Sequence, residues 1–495
     1  MNEFGSLLFL PSIAAILSLV IQNLAVTRKF CALAAWIQLV IVLSMLSQIL
    51  TGHVPNLPFV SGLAVDRLGA CFIVLTTFVV ASCLTHADYF FQAAANRGDE
   101  YSANRVKVFY ASTNIFLMAM TTVFCCDSLG YLWIAIEATT LSSAPLVYFE
   151  RNKYALEATW KYLIVCSVGI AFALLGTVFI FAASQRGDIQ AATLNVSELI
   201  AGAKALNFPL LRLGFIFCLL GYGTKAGIFP LHTWLPDAHS EAPAPASAML
   251  SGSLLNCALF GIWKVSTVIL AANPTAPAFQ LVSVLGTITV LAASLLIIRQ
   301  HNLKRLWAYS SIENVGLMIF AIGLGSGPLF FLQAVNHSLA KVALFLLAGN
   351  IIQATGTKKL NKLHGLMENA PSWAAALALA SLAVAGAPPF GAFVAEMSLL
   401  TLSLTDHRYI LALTITIALA ISFLGILSHT GKVIFGAGKP NFKHYAEKRA
   451  VAIPVLLVLC SLVIGLAVDT ATWMPGYDHK HISQIQRKVA EVSCR

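Results

Sequence analysis

The stretch YLIVCSVGIAFALLGTVFIFAAS, residues 162–184, holds no charged side chain, and runs of this kind recur along the whole chain. Roughly 20 such residues wound as a helix cross a hydrocarbon layer of about 30 Å, where the backbone must satisfy its own hydrogen bonds. The runs are continuous and not alternating, which predicts helices and excludes a β-barrel. Charged residues make up only 11% of the chain and hydrophobic ones 58%, against about 25% charged in ordinary soluble domains. The chain therefore reads as an all-α polytopic membrane protein.

Hydropathy places spans near 4–26, 30–50, 68–91, 108–126, 129–149, 158–183, 209–235, 244–270, 278–298, 306–325, 328–353, 372–402, 408–435 and 450–472, about fourteen transmembrane helices. The formal charge of +10 comes from basic residues spread over short loops, not gathered on one face as a nucleic-acid site requires. Arg28 and Lys29, Arg97 with Arg105 and Lys107, Arg151 with Lys153, Arg299 with Lys304 and Arg305, Lys358 with Lys359 and Lys362, and Lys439 with Lys443, Lys448 and Arg449 all follow odd-numbered helices. The loop after the seventh is the exception. The positive-inside rule then predicts both termini on the outer side, although the tail residues Lys480, Arg487 and Lys488 run against the pattern. The amino terminus MNEFGSLLFL lacks the basic region of a cleavable signal. The ten cysteines contain no CxxC pair and lie mostly inside apolar runs, so they read as buried apolar side chains.

Two spans are interrupted. The seventh contains Gly223, Gly227 and Pro230, and the twelfth contains AGAPPFGAF with Gly386, Pro388, Pro389 and Gly391. Proline removes a backbone donor and clashes with the preceding turn, and paired broken helices are a sequence pointer to inverted repeats. The breaks are five helices apart. Helices four to eight and nine to thirteen are therefore expected to form two inverted five-helix repeats, over 108–270 and 271–435. Helices one to three (1–107) precede them, and the fourteenth helix with a carboxyl tail (436–495) follows.

Charges are expensive at membrane depth, so an ionisable residue inside a span is a functional candidate. Glu137, Lys225, His337, Lys341 and Glu396 qualify. His337 and Lys341 are four apart and share one helix face. Burial alone disfavours a charged form and an opposite charge restores it, so a Glu137–Lys225 pair that opens and closes would switch the proton affinity of the lysine. A static buried ion pair is the alternative reading. His232 and His239 lie seven apart among prolines without an accompanying cysteine, which favours structural or hydrogen-bonding roles over metal ligation. Asp237 and Glu241 follow a helix end, where capping or turn formation is the default. No nucleophile elbow, dinucleotide fingerprint or cluster-ligand spacing occurs. The chain is expected to hold no cofactor, no metal and no redox active site of its own, leaving any such chemistry to partners.

The segment TKAGIFPLHTWLPDAHSEAPAPASAMLSG resembles the signature of antiporter-like proton-translocating membrane subunits, shared by respiratory complex I, membrane-bound group 4 hydrogenases and Mrp-type cation/proton antiporters. The resemblance covers roughly 108–435. It implies that Glu137 is the fifth-helix glutamate and Lys225 the seventh-helix lysine that drive proton transfer, that His337 and Lys341 belong to a central relay, and that Glu396 is the terminal residue of the twelfth helix. HNLKRLWAYSSIENVG is similar to the family's tenth-helix motif, with Asn302 where many members have aspartate. Asn256 stands where many members carry a lysine, so the relay would pass through water or the His337 and Lys341 face. Lys264 matches a basic residue further along the eighth helix. ALEATWKYLIVCSVGIAFALLGT, LLNCALFGIWK and AYSSIENVG look most similar to the hydrogenase-4 F-type membrane subunit.

The resemblance thus implies a proton-translocating subunit of a redox-driven complex in a bacterial or archaeal cytoplasmic (inner) membrane, of the group 4 [NiFe] hydrogenase or formate hydrogenlyase type. Its partners would be other membrane subunits and peripheral redox subunits carrying Fe–S clusters and NiFe, with no nucleic acid. The alternatives are an antiporter-like subunit of NADH-quinone oxidoreductase, an Mrp-type sodium/proton antiporter subunit, or the membrane subunit of an inorganic-carbon uptake module.

Overall fold

The computed structural model describes residues 3–52, 62–96, 101–185, 192–273, 277–437 and 448–468. Arg97, Lys439, Lys443 and the tail residues Lys480, Arg487 and Lys488 lie outside the described residues. Every expected span is matched by helix: α1 Glu3–Val20, α2 Leu24–Leu50, α3 Arg67–Asn96, α4 Ala103–Phe124, α5 Leu129–Val147, α6 Lys153–Ser184, α7a Phe208–Ala226 with α7b Trp234–Glu241, α8 Ala244–Ala272, α9 Pro277–Ile298, α10 Leu303–Gly323, α11 Gly327–Thr355, α12a Pro371–Val384 with α12b Gly391–Thr405, α13 Tyr409–Phe435 and α14 Ala452–Ala467. Among the described residues eleven helices are long and apolar enough to cross a membrane, while α1 and both halves of α12 are shorter apolar helices. Only isolated bridges, and no strands, occur among the described residues.

The first expected boundary is corrected. The structure ends α1 at Val20 and starts α2 at Leu24, because the Asn23 side chain caps α2 by accepting from the Ala25 and Val26 amides. Arg28 and Lys29 consequently lie inside α2, not in a loop. Connections on one side of the bundle are tied by bridges between Leu63 and Cys126 and between Ser128 and Asn195. On the other side Asn302 bridges to Lys359, which joins two of the basic loops.

Small residues set the helix contacts. A Cβ on Gly221 of α7a would come within 2.5 Å of the Ala173 amide nitrogen on α6, and one on Gly176 would come within 2.6 Å of the Gly214 carbonyl. Gly286 and Gly316 bring α9 and α10 together in the same way. Close backbone approach replaces the hydrophobic driving force that lipid cannot supply between helices. The helices α10 and α11 are enclosed by the others, whereas α2, α6, α13 and α14 turn apolar side chains such as Val40, Trp160, Leu424 and Val463 outward.

Both interruptions are present. At the first, Gly227 adopts a left-handed conformation (φ 80°) that ends α7a, and Trp234 Nε1 donates back to the Thr224 carbonyl at 2.9 Å. At the second, Gly386 is left-handed (φ 72°) between α12a and α12b. There α14 closes in so tightly that a Cβ on Gly465 would meet the Pro389 carbonyl. Five residues of α8, Leu250–Leu254, are wound as π helix, a local widening that is frequent at functional sites.

Candidate functional site

The first cluster forms where α5, α6 and the end of α7a meet. Lys225 is 0% exposed, and a charged ammonium in that position needs partners. Its Nζ donates to the Thr140 hydroxyl and, at 3.3 Å, to Tyr162 Oη, and it lies 5.3 Å from the centre of the Tyr162 ring. Thr140 Oγ1 in turn donates to Glu137 Oε2 at 3.0 Å, while Ser167 donates to Oε1 at 3.0 Å. The expected Glu137–Lys225 pair is therefore corrected in form: the two groups are linked through one hydroxyl, because α5 presents Thr140 one turn beyond Glu137 and nearer to α7a. Tyr162 Oη continues the chain to Ser143 Oγ at 2.7 Å. Trp234, which sequence reasoning did not single out, packs its ring 4.9 Å from that of Tyr162.

The second cluster lies between the π turn of α8, α10 and α11. His337 Nε2 meets the Ser251 carbonyl at 3.3 Å, and Ser251 Oγ meets Ser311 Oγ of α10 at 2.8 Å. Lys341, also 0% exposed, donates to the Trp307 carbonyl at 3.1 Å and lies 5.9 Å from that residue's ring centre. The two α11 residues thus share a buried stretch but reach different helices. Asn256 Nδ2 donates to Ser338 Oγ at 3.0 Å and to the Gly252 carbonyl at 3.1 Å, joining α8 to α11. His239 is fully buried with Nδ1 at 2.9 Å from the Leu235 carbonyl, its ring between those of Trp234 and Phe345. Asn256 Oδ1, His239 Nε2 and His337 Nδ1 are buried atoms without hydrogen-bond partners. Leaving such atoms unsatisfied costs about 1–3 kcal/mol each, a cost that bound water between α7b, α8 and α11 would relieve.

The third cluster is at the α12 break. The Glu396 carboxylate is buried against the Cα of Gly386, where a Cβ would collide with it. Glu313 of α10, within electrostatic reach of both Lys341 and Glu396, is a buried acid that the sequence reading passed over. Its signal was present: the carboxylate in SSIENVG sits mid-helix between apolar turns.

The remaining candidates anchor the frame. Asp237 accepts from Lys161 at 3.2 Å and from Arg305 at 2.8 Å, and Glu241 pairs with Lys358. The capping reading of these two acids is corrected: α7b brings them against the basic ends of α6 and α10 and the loop after α11. Lys264 pairs with Asp66 at 2.8 Å, tying α8 to the start of α3. His232 stacks on Phe229, with ring centres 5.3 Å apart, and shows its edge to Tyr309. Asn302 caps α10 by accepting from the Lys304 and Arg305 amides, the service an aspartate would perform there.

The sequence profile of the NADH:quinone oxidoreductase/Mrp antiporter transmembrane family matches residues 126–422. The chain is 38% identical over 378 residues to the hydrogenase-4 component F homolog of Methylacidiphilum infernorum (isolate V4), covering 75% of this chain and 79% of that one. It is 27% identical over 494 residues to an Na(+)/H(+) antiporter subunit of Bacillus subtilis (strain 168), covering 96% of each. Its fold matches a chain of the membrane-bound sulfane sulfur reductase, an archaeal respiratory membrane complex, with a TM-score of 0.85, 22% identity and coverage of 100% and 99%.

Proposed function

The chain belongs to the NADH:quinone oxidoreductase/Mrp antiporter transmembrane family as a multi-pass, antiporter-like membrane subunit, and on that premise we propose that it carries protons across the membrane for a redox-driven complex. The observation that carries this reading is the unbroken link from Glu137 through Thr140 to the buried Lys225. A lysine held by one hydroxyl between a carboxylate and a phenol exchanges partners by a short movement, and each exchange changes how firmly its proton is held. Protons would load at Lys225, pass along the polar track of Asn256, His337 and Lys341, and leave by Glu396. His232, Asp237 and His239 hold the broken seventh helix against α6, α10 and α11, and Lys264 ties α8 to the start of α3.

The kinship with the hydrogenase-4 component F homolog favours a group 4 [NiFe] hydrogenase or formate hydrogenlyase type of assembly in a prokaryotic inner membrane, with NiFe and Fe–S clusters on peripheral partners. The left-handed breaks at Gly227 and Gly386 support two inverted five-helix repeats, over 108–270 and 271–435. The alternation of basic and neutral loops supports termini on the outer side. A second reading, sodium/proton exchange, is favoured by the nearly full-length likeness to the Na(+)/H(+) antiporter subunit of Bacillus subtilis.

Purification of the native complex through a tag on this chain, with mass spectrometry of what accompanies it, is the test. A hydrogenase large subunit with nickel supports the proposal, and Lys225→Ala should then abolish proton movement by the assembled complex in sealed vesicles. Antiporter-like membrane subunits alone, with sodium-dependent transport, would favour the second reading. A carbonic-anhydrase-like soluble partner would overturn the hydrogenase assignment.

A further inference from the structure

Glu313 has no place in the proton path just described, yet it is buried at 3% exposure in α10, one of the two most enclosed helices. Its neighbours are informative. Ser310, three positions earlier on the same helix, and Ser422 of α13 are the hydroxyls near its carboxyl, and Lys341 and Glu396 are both within electrostatic reach of it. A carboxylate kept only for stability in such a place would be closed into an ion pair with its remaining lone pairs satisfied. This one is not. Lys341 Nζ donates one of its N–H bonds to the Trp307 carbonyl, and Glu313 Oε2 is a buried atom without a hydrogen-bond partner. One ammonium and two carboxyls in a single buried cluster are neutral as a set when one proton is shared between the two carboxyls.

We propose that Glu313 is the proton-carrying link between Lys341 and Glu396, so that the path crosses from α11 to α12b by way of α10. The cycle starts with the shared proton on Glu396, which releases it at the α12 break and becomes a carboxylate. An N–H bond of the Lys341 ammonium then breaks, its electron pair stays on Nζ, and through intervening water an O–H bond forms on the Glu313 carboxylate. That carboxyl passes the proton to the Glu396 carboxylate and regains its charge, and the neutral Lys341 amine takes the next proton from the track that contains His337, which restores the starting state. The link joins the central relay to the terminal glutamate, and it rests on the reading that this chain carries protons.

The test compares wild-type, Glu313→Gln and Glu313→Asp complexes, each purified whole and reconstituted into sealed vesicles containing a pH-sensitive dye, with redox turnover measured alongside. Glutamine keeps the shape and removes the proton-binding oxygen. An assembled Glu313→Gln complex is expected to move protons about a hundredfold more slowly, the scale on which a positioned acid–base group contributes, while Glu313→Asp retains measurable transport. An infrared difference band of a protonated carboxyl, present in the wild type during turnover and lost in Glu313→Gln, is expected as well; a structural role would not produce it. Wild-type transport by assembled Glu313→Gln overturns the inference and leaves the broader function standing. Absence of proton movement in the wild-type complex overturns both. If Glu313→Gln fails to assemble, Glu313→Asp decides: slowed transport with the infrared band retained supports the link, and unchanged transport without the band overturns it.

Discussion

Replacing Thr140 by valine removes one hydroxyl and almost no volume, and it cuts the hydroxyl contact that joins Glu137 to Lys225. In the native arrangement that hydroxyl donates to Glu137 Oε2 at 3.0 Å and accepts from Lys225 Nζ. Hydrogen bonds to charged groups are each worth about 1.5–3 kcal/mol. After the substitution Glu137 keeps its bond from Ser167, and Lys225 keeps the longer one to Tyr162, so the net loss is smaller than the sum of two. Taking about 2 kcal/mol, the balance between linked and unlinked states of the pair shifts roughly thirtyfold. Helix packing should survive, because valine fills the same space. The expected result is a Thr140→Val complex that assembles normally and loses at least about tenfold in proton transport when the linked state is required for each turn. Dye-reported acidification of vesicles holding the purified complex measures this, with redox turnover as the control. Native transport rates in the assembled variant would show that Lys225 works without Glu137.

Two further substitutions probe the frame around the path. Gly386→Ala places a side chain at a left-handed φ of 72° and a Cβ against Glu396 Oε2. The backbone conformation alone costs about 1–2 kcal/mol, and the carboxylate, being the end of a flexible chain, must move. A lowered melting temperature in detergent and impaired transport are expected, and unchanged values for both would contradict the placement of Glu396. Asn302→Asp should leave stability nearly unchanged, since either side chain caps α10, whereas Asn302→Ala should cost about 1 kcal/mol. Thermal unfolding of the two variants side by side checks the sign and the difference.

Hydropathy is a local sum over neighbouring residues, and the membrane acts on it directly, so the helical spans and both interruptions were legible in the sequence. The intramembrane residues Glu137, Lys225, His337, Lys341 and Glu396 were legible for the same reason, because a charge inside an apolar run stands out whatever surrounds it. Glu313 is less legible, because Ser310, Ser311 and Asn314 beside it lower the local hydropathy and the charge no longer interrupts a purely apolar run. The partners were not legible. Lys264 finds Asp66 at a separation of 198 positions, and Asp237 finds Lys161 and Arg305 on two other helices. Which hydroxyl stands between Glu137 and Lys225 depends on how α5 and α7a are rotated against each other, and glycines at the α6–α7a contact fix how closely the backbones approach. Sequence alone thus determined what must lie in the membrane and which groups are costly there. Tertiary packing decided which of those groups meet, because helix rotation and register are set by contacts between residues far apart in the chain.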